Sequence, residues 1–191
     1  VCSGSNTGTL TLSGETGSVV RWESSTDNFV SSTNIVNTTT SLDYTDLTET
    51  TKYRAVVQSG VCSEENSTEV TITVDPLTVG GTLSSDATVC SGSNTGTLTL
   101  SGETGSVVRW ESSTDNFVSS TNIVNTTTSL DYTDLTETTK YRAVVQSGTC
   151  SEENSTEVTI TVLPATVGGT LSSDASVCSG SNTGTLTLSG E

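Results

Sequence analysis

The sequence has no histidine and no methionine, and only two prolines in 191 residues. Without histidine, imidazole acid–base catalysis is excluded and a zinc site is disfavoured, since no Cys-x-x-Cys pair is present either. Basic residues are also scarce, with six Lys and Arg against 22 Asp and Glu, a net charge of −16. We therefore expect no nucleic-acid partner and no attraction to anionic membranes, because little positive charge is available to meet phosphates.

Apolar side chains are few as well: 30% of the residues are hydrophobic and 4% are aromatic. No apolar run approaches the roughly 20 residues of a membrane helix, so we expect no direct membrane insertion. The same composition would fit a disordered, Ser/Thr-rich stalk. Regular alternation of apolar residues, described next, argues against disorder.

The dominant feature is an internal repeat of 88 residues. Residues 1–60 are identical to residues 89–148. Over the whole overlap four positions differ, which are Val61/Thr149, Asp75/Leu163, Leu77/Ala165 and Thr88/Ser176. The chain begins and ends within a repeat, so we expect it to be part of a longer tandem array.

Within a repeat, apolar residues alternate with polar ones along several short segments, the pattern of half-buried β-strands. The side chains predicted to face inward are Leu10, Leu12, Val20, Trp22, Leu42, Tyr44, Leu47, Tyr53, Ala55 and Val57, with residues 70–74 as the last strand. The pairs Phe29-Val30 and Ile35-Val36 are predicted as edge strands. About seven strands separated by turns predict an all-β antiparallel sandwich, repeated in tandem.

Pro76 and Pro164 each follow the last strand of a repeat, and proline ends a β-ladder. We therefore predict three units: residues 1–75, which lack an opening strand; residues 76–163, which are complete; and residues 164–191, the start of a third repeat. Gly80-Gly81 in the opening strand predicts a bulge or a close approach of two backbones.

Two patterns sharpen the sandwich prediction. The spacing from Leu47 to Tyr53 resembles the tyrosine corner of immunoglobulin and fibronectin type III domains, and Trp22 matches the core tryptophan of their third strand. The chain also has recurring segments, which are Val-Gly-Gly-Thr-Leu, Val89-Cys90-Ser-Gly and Val158-Thr-Ile-Thr-Val. With these segments and the two patterns above, it resembles immunoglobulin-like repeats of very large secreted Bacteroidota surface proteins, including gliding adhesins. That resemblance implies extracellular stalks exported by the type IX route, and it implies no catalytic residues.

Each repeat carries two cysteines, which we interpret as disulfides of an oxidising compartment. The favoured pairs are Cys2–Cys62 and Cys90–Cys150, each inside one repeat. These pairs require both cysteines to lie at the same end of a sandwich, because a disulfide spans a short distance. If they lie at opposite ends, the cysteines would instead join neighbouring repeats, for example as Cys62–Cys90.

Other polar groups give weaker signals. Carboxylates cluster at Asp43, Asp46 and Glu49, and at Glu64, Glu65 and Glu69, where a Ca²⁺ site is the functional interpretation and a solvated acidic surface the favoured one. No other cofactor is expected. Lys52 is expected either to be exposed to solvent or to form an isopeptide bond. Arg21 and Arg54, with Val19 and Val56, are predicted to form an outward patch, either an ordinary sheet face or a lateral contact between arrays.

Function is therefore expected to be structural rather than enzymatic: a stiff stalk or fibre of a bacterial cell-surface adhesin, whose direct partners are neighbouring repeats. Identical copies suit a spacer, because every module meets the same neighbour. The alternatives are a glycan- or protein-binding module acting by avidity, and a subunit of a self-assembling extracellular filament.

Overall fold

The computed structural model describes residues 1–191, and all of its regular elements are strands. The structure contains no helix long and apolar enough to cross a membrane. Module 1, residues 1–75, contains β1 (Thr7–Thr11), β2 (Ser18–Ser25), β3 (Thr33–Ile35), β4 (Ser41–Thr45), β5 (Thr51–Gln58), β6 (Glu65–Asn66) and β7 (Val70–Ile72).

Module 2, residues 76–163, contains β8 (Thr82–Leu83), β9 (Ala87–Cys90), β10 (Thr95–Ser101), β11 (Ser106–Ser113), β12 (Thr121–Ile123), β13 (Ser129–Thr133), β14 (Thr139–Gln146), β15 (Glu153–Asn154) and β16 (Val158–Leu163). The tail, residues 164–191, contains β17 (Thr170–Leu171) and β18 (Leu188–Ser189).

Module 2 is a sandwich of two sheets. One sheet has the order β13-β10-β8, and the other has the order β12-β11-β14-β16-β9, with β15 also on β14. Neighbouring strands are antiparallel except β9, which runs parallel to β16 and places Cys90 opposite Leu163. Cys90 therefore lies where the chain leaves the module.

The core lies between these sheets around Trp110, whose side chain is completely buried. Its indole Nε1 donates a hydrogen bond to the Thr127 carbonyl oxygen at 3.0 Å, so the one polar atom of the ring is paired inside the core. Trp22 has the same role in module 1, where Nε1 donates to the Thr39 carbonyl oxygen at 3.0 Å. The predicted core tryptophan is thus in place in both modules.

Three local predictions were wrong. A β-bulge between Val19 and Arg21 shifts the alternation by one residue, so Val19 faces the core in place of Val20. Phe29-Val30 belongs to a turn, because Asn28 and Phe29 both have positive φ, a backbone conformation outside the β region. The Tyr53 hydroxyl makes no tyrosine-corner hydrogen bond, and its ring stacks on Tyr44 at 6.5 Å between centroids.

The two modules have almost the same sequence but not the same core. Module 2 buries a cluster of 12 hydrophobic residues, and module 1 buries five. Val158 is 1% exposed, whereas its repeat equivalent Val70 is 40% exposed. The difference arises because β8 and β9 cover the module 2 core, and the residues equivalent to β8 and to the start of β9 would precede Val1, where the sequence begins.

Candidate functional site: the junction between the modules

Each module has two ends that matter for its neighbours. The leading end of module 2 is formed by Pro76 and the turn at residues 147–151, which connects β14 to β15. The trailing end is formed by Leu163 and Cys90, opposite each other in the last pair of the sheet. In module 1 the equivalent leading end is the turn at residues 59–63, and the trailing end is Asp75 with Cys2, which form the equivalent parallel bridge.

A disulfide joins the two modules across the junction. Cys2 at the trailing end of module 1 bonds Cys150 at the leading end of module 2, with 4.9 Å between the Cα atoms and a separation of 148 positions in sequence. Cys150 Sγ also lies 3.3 Å from the Pro76 carbonyl oxygen, so the bridge sits directly on the boundary. Cys62, Cys90 and Cys178 are exposed and unbonded.

This pairing corrects both predicted arrangements. Cys2–Cys62 and Cys90–Cys150 do not form, because the two cysteines of one module lie at opposite ends of its sandwich, beyond the reach of a disulfide. The alternative, a disulfide between neighbouring repeats, is correct in joining two modules, but the bonded cysteines are Cys2 and Cys150 and not Cys62 and Cys90. Cys62 lies at the leading end of module 1 and Cys90 at the trailing end of module 2, so neither faces the junction between these modules.

Asp75 makes the second contact across the junction. Its carboxylate Oδ2 accepts hydrogen bonds from the Thr149 backbone N–H at 2.9 Å and from the Thr149 hydroxyl at 3.0 Å. These two donors stabilise the ionised form and lower the pKa of Asp75. The close approach requires Gly148, with φ of +49°, since a Cβ there would overlap the carboxylate.

Backbone hydrogen bonds fix Asp75 from the module 1 side. Its N–H donates to the Val1 carbonyl oxygen at 2.7 Å, and its carbonyl oxygen accepts from the Ser3 N–H at 2.9 Å. On the module 2 side, the Thr78 hydroxyl accepts from the Ser147 N–H at 3.0 Å. The linker is therefore held at both of its ends, and the turn that carries Cys150 is held with it.

The predicted acidic clusters are dispersed or engaged in ion pairs. Glu64 accepts from Arg21 at 2.6 Å and Glu69 pairs with Lys52 at 3.1 Å, while Asp43 accepts from the Thr9 hydroxyl. No group of three or more Cys, Asp or Glu side chains is placed to hold a metal ion. The Lys52 ammonium meets a glutamate, not the Asn or Asp that an isopeptide bond would need.

The outward face of β2 and β5 carries an ordered charge network in place of the predicted mixed patch. Glu23 is buried and accepts hydrogen bonds from Arg21 at 2.9 Å and from Arg54 at 2.8 Å. Burial raises the pKa of Glu23, but the hydrogen bonds from Arg54 and Arg21 outweigh it and lower the pKa on balance. Val19 faces the core and Val56 is 1% exposed, so neither belongs to an apolar surface.

Sequence reasoning did not find the contact between Asp75 and Thr149. The signal was present, since these residues occupy two of the four positions at which the repeats differ. Asp75 becomes Leu163 in the next repeat, and Thr149 is Val61 in the previous one. The residues at the two equivalent positions, Val61 and Leu163, are apolar and exposed, and they lie at opposite outer ends of the two modules.

Comparison with known proteins identifies a family and a fold. A family described as a domain of unknown function (DUF8696) matches residues 1–76 and again residues 79–164. No curated protein matches the sequence. Among solved structures, a marsupial T cell receptor is 15% identical, with a TM-score of 0.55 over 91% of this chain and 75% of the receptor chain.

Two further solved structures are similar at lower TM-scores. The four N-terminal Ig domains of a Dscam1 isoform are 13% identical over 84% of this chain, with a TM-score of 0.44. The fibronectin(III)-like modules of Clostridium thermocellum CbhA are 11% identical over 84% of this chain and 88% of theirs, with a TM-score of 0.31. The chain spans less than half the length of the Dscam chains that it matches, 42% and 43%.

The receptor comparison, at this identity, bears on the fold alone. It agrees with the two-sheet sandwich of module 2. The family matches cover most of the chain and divide it into two copies. The chain therefore belongs to the DUF8696 family, and its two copies fold as tandem immunoglobulin-like β-sandwiches.

Proposed function

We propose that the chain is a stiff, covalently stapled spacer in the extracellular stalk of a bacterial surface adhesin. The observation that carries this proposal is the Cys2–Cys150 bridge, which joins two modules and not two strands of one module. A disulfide inside a module would stabilise that module alone. A disulfide between modules restricts how one module rotates relative to the next.

Two covalent links now connect the modules: the peptide linker from Asp75 to Pro76 and the disulfide. Two links and the Asp75–Thr149 hydrogen bonds resist bending and twisting better than a linker alone. The bridge also closes a loop of 148 residues, which restricts the unfolded chain by about 5 kcal/mol in the chain-entropy model. For domains whose total stability is roughly 5–15 kcal/mol, this contribution is large.

The net charge, the disulfide chemistry and the family resemblance also support a spacer role. A net charge of −16 keeps modules soluble and makes them repel one another along an array, which favours an extended shape. A structural disulfide persists in an oxidising compartment outside the cytosol. The resemblance to repeats of large Bacteroidota surface proteins supports an adhesin stalk as the parent structure.

The test measures how freely the two modules move. Spin labels carried by unnatural amino acids at Val36 and Val124, equivalent and almost fully exposed positions, report the distance between modules by pulsed electron resonance. We expect a narrow distance distribution that broadens in Cys2→Ser and stays narrow in Cys62→Ser, the matched control. An equally narrow distribution in Cys2→Ser would mean that the bridge does not set the stiffness. A broad distribution in the oxidised chain would contradict a stiff spacer.

A further inference from the structure

A short strand at one edge of each sandwich is paired on one side only. In module 2 this strand is β12, which pairs with β11 and has no neighbour on its other side. In module 1 the same place is held by β3, which pairs with β2 alone. Module 2 includes β8 and β9 and still leaves this edge as open as module 1 does, so the open edge belongs to the repeat itself. Such an edge presents backbone N–H and C=O groups that a further strand can pair with.

Two valines flank the open edge in each module. Val118 and Val124, on either side of β12, are 88% and 99% exposed. Their equivalents Val30 and Val36 in module 1 are 88% and 98% exposed. Between the valines of module 2, Ile123 packs against the core and anchors the strand from inside. A second strand laid along the edge would cover both valines, and their removal from water favours such pairing.

The turn that precedes β12 holds Val118 in a fixed position. Asn116 and Phe117 have φ of +60° and +58°, a left-handed conformation that is costly for residues with a side chain. The Phe117 N–H donates to the Ser113 hydroxyl at 2.9 Å, and the central guanidinium carbon of Arg142 lies 4.1 Å from the phenyl centroid. These contacts offset the cost of the backbone conformation. Little ordering entropy is therefore left to be lost when this surface binds.

The edge carries no charge, although the chain as a whole has a net charge of −16. Residues 116–130 contain no Asp, Glu, Lys or Arg, and neither do the equivalent residues 28–42. The acid that precedes the segment, Asp115, accepts hydrogen bonds within the turn from the Ser119 N–H at 3.0 and 3.1 Å. The segment also lacks lysine and proline, which commonly block pairing at sheet edges. A second acidic chain can therefore approach here with less repulsion than at a charged surface.

We propose that two copies of the chain associate side by side, with the open edge strand of one copy pairing antiparallel with that of the other. Val118 and Val124 each lie three positions from Thr121. Antiparallel pairing centred on Thr121 therefore places Val118 of one copy beside Val124 of the other, and the reverse at the opposite end. The contact is self-complementary, as a two-fold interface requires.

A second copy is a better occupant of this edge than a basic protein. A basic partner would be drawn to the acidic surfaces of the chain and not to a neutral segment. Lateral association goes beyond the proposed spacer role, and it needs neither the disulfide nor the stiffness of the junction.

Sedimentation tests the association in a chain with Cys62, Cys90 and Cys178 replaced by serine, because exposed thiols cross-link copies whatever the edge does. We expect the mean mass to rise with concentration above that of the monomer. We also expect the dissociation constant to fall as salt is raised, because screening removes the repulsion between two acidic chains. Association that weakens with salt would indicate charge pairs and contradict a neutral contact. A chain that stays monomeric at every concentration and salt overturns the proposal and leaves the edge to a strand of a different protein.

Charged variants test whether the edge is the contact. The double variant Val36→Lys with Val124→Lys forces an unpaired charge into the contact and should weaken association at least ~10-fold. Both valines are almost fully exposed, so the folded chain is not disturbed. The matched control is Val61→Lys with Val177→Lys, which adds the same charge at exposed valines away from the edge. The control should associate at least as well as the parent. Equal weakening of the two double variants would show that the edge is not the contact, and the proposal would be wrong.

Hydrogen exchange locates the contact in the associated chain. Amides of residues 120–124 and 32–36 should exchange more slowly above the dissociation constant than far below it, because pairing gives them acceptors. Slowing confined to other segments would overturn the proposal.

The association and the spacer role fail separately. Since Val36 and Val124 carry the spin labels of the spacer test, labelled chain is diluted there into an excess of unlabelled chain, so that only the distance within one chain is recorded. A narrow distribution in a chain that stays monomeric would refute lateral association alone. A broad distribution in a chain that associates would refute the stiff spacer alone.

Discussion

Pulling the chain by its two ends should show how the Cys2–Cys150 bridge redirects force. With the bridge intact, the shortest covalent path runs from Val1 through Cys2 to Cys150 and on to Glu191. The loop between the two cysteines lies outside this path, and the bridge replaces 148 residue steps by 4.9 Å between Cα atoms. At roughly 3.3–3.6 Å for each extended residue, the bridge withholds about 500 Å of contour length.

Single-molecule force spectroscopy measures this length directly. The oxidised chain should extend only through its ends and the part of module 2 that follows Cys150, and reduction should add about 500 Å to the final contour length. Cys2→Ser should behave as the reduced chain under oxidising conditions. Cys62→Ser should behave as the oxidised parent, because Cys62 is unbonded. Equal contour lengths before and after reduction would refute the claim that the bridge bypasses most of both modules.

Three further changes test the modules themselves. Glu111→Gln removes the buried charge between Arg109 and Arg142 and should lower the unfolding free energy in urea by about 2 kcal/mol; no change would mean that the network is not stabilising. The Asp115 carboxylate accepts hydrogen bonds from the Ser119 hydroxyl and N–H and from the Ser113 hydroxyl, and these lower its pKa from 3.8 to about 2. The ionised carboxylate therefore stabilises the fold fully above pH 3.8, and this stabilisation is lost as the pH falls towards 2. In Asp115→Asn the free energy of unfolding should fall less steeply over that pH interval. Gly96→Val drives a side chain into the Tyr132 ring across the β10–β13 pair and should cost about 1–3 kcal/mol, whereas Gly184→Val at the same repeat position should cost nothing measurable.

Much of each sandwich could be predicted from the sequence because the information is local. Alternating residues in β1 and β5 place their apolar side chains on one face whatever the rest of the chain does. The same alternation predicts that Trp22 faces the core, where the structure has it. The errors fall where one residue breaks the alternation: the bulge at Val19 reverses which valine is inside, and no propensity distinguishes Val19 from Val20 in advance.

The cysteine pairing could not be predicted because it depends on which end of a sandwich each cysteine reaches. A strand that pairs in parallel with β16 carries Cys90 to the trailing end, and the sequence alone allows β9 to lie on either sheet. The same uncertainty applies to Cys2. Once the parallel pairing is known, the opposite placement of Cys150 follows from the direction of β14, and a bond within a module is excluded by distance.

The few differences between the repeats carry information that the identities cannot. Identical residues build the same sandwich twice, so they say nothing about how one copy meets the next. Of the four differing positions, Val61/Thr149 and Asp75/Leu163 lie on the two sides of a junction, and the structure brings one residue of each into contact. Both residues at that contact are polar, whereas the residues at the equivalent positions, Val61 and Leu163, are apolar and exposed at the outer ends of the two modules. The contact that these differing positions make is therefore a contact of the junction, formed by the trailing end of one module and the leading end of the next.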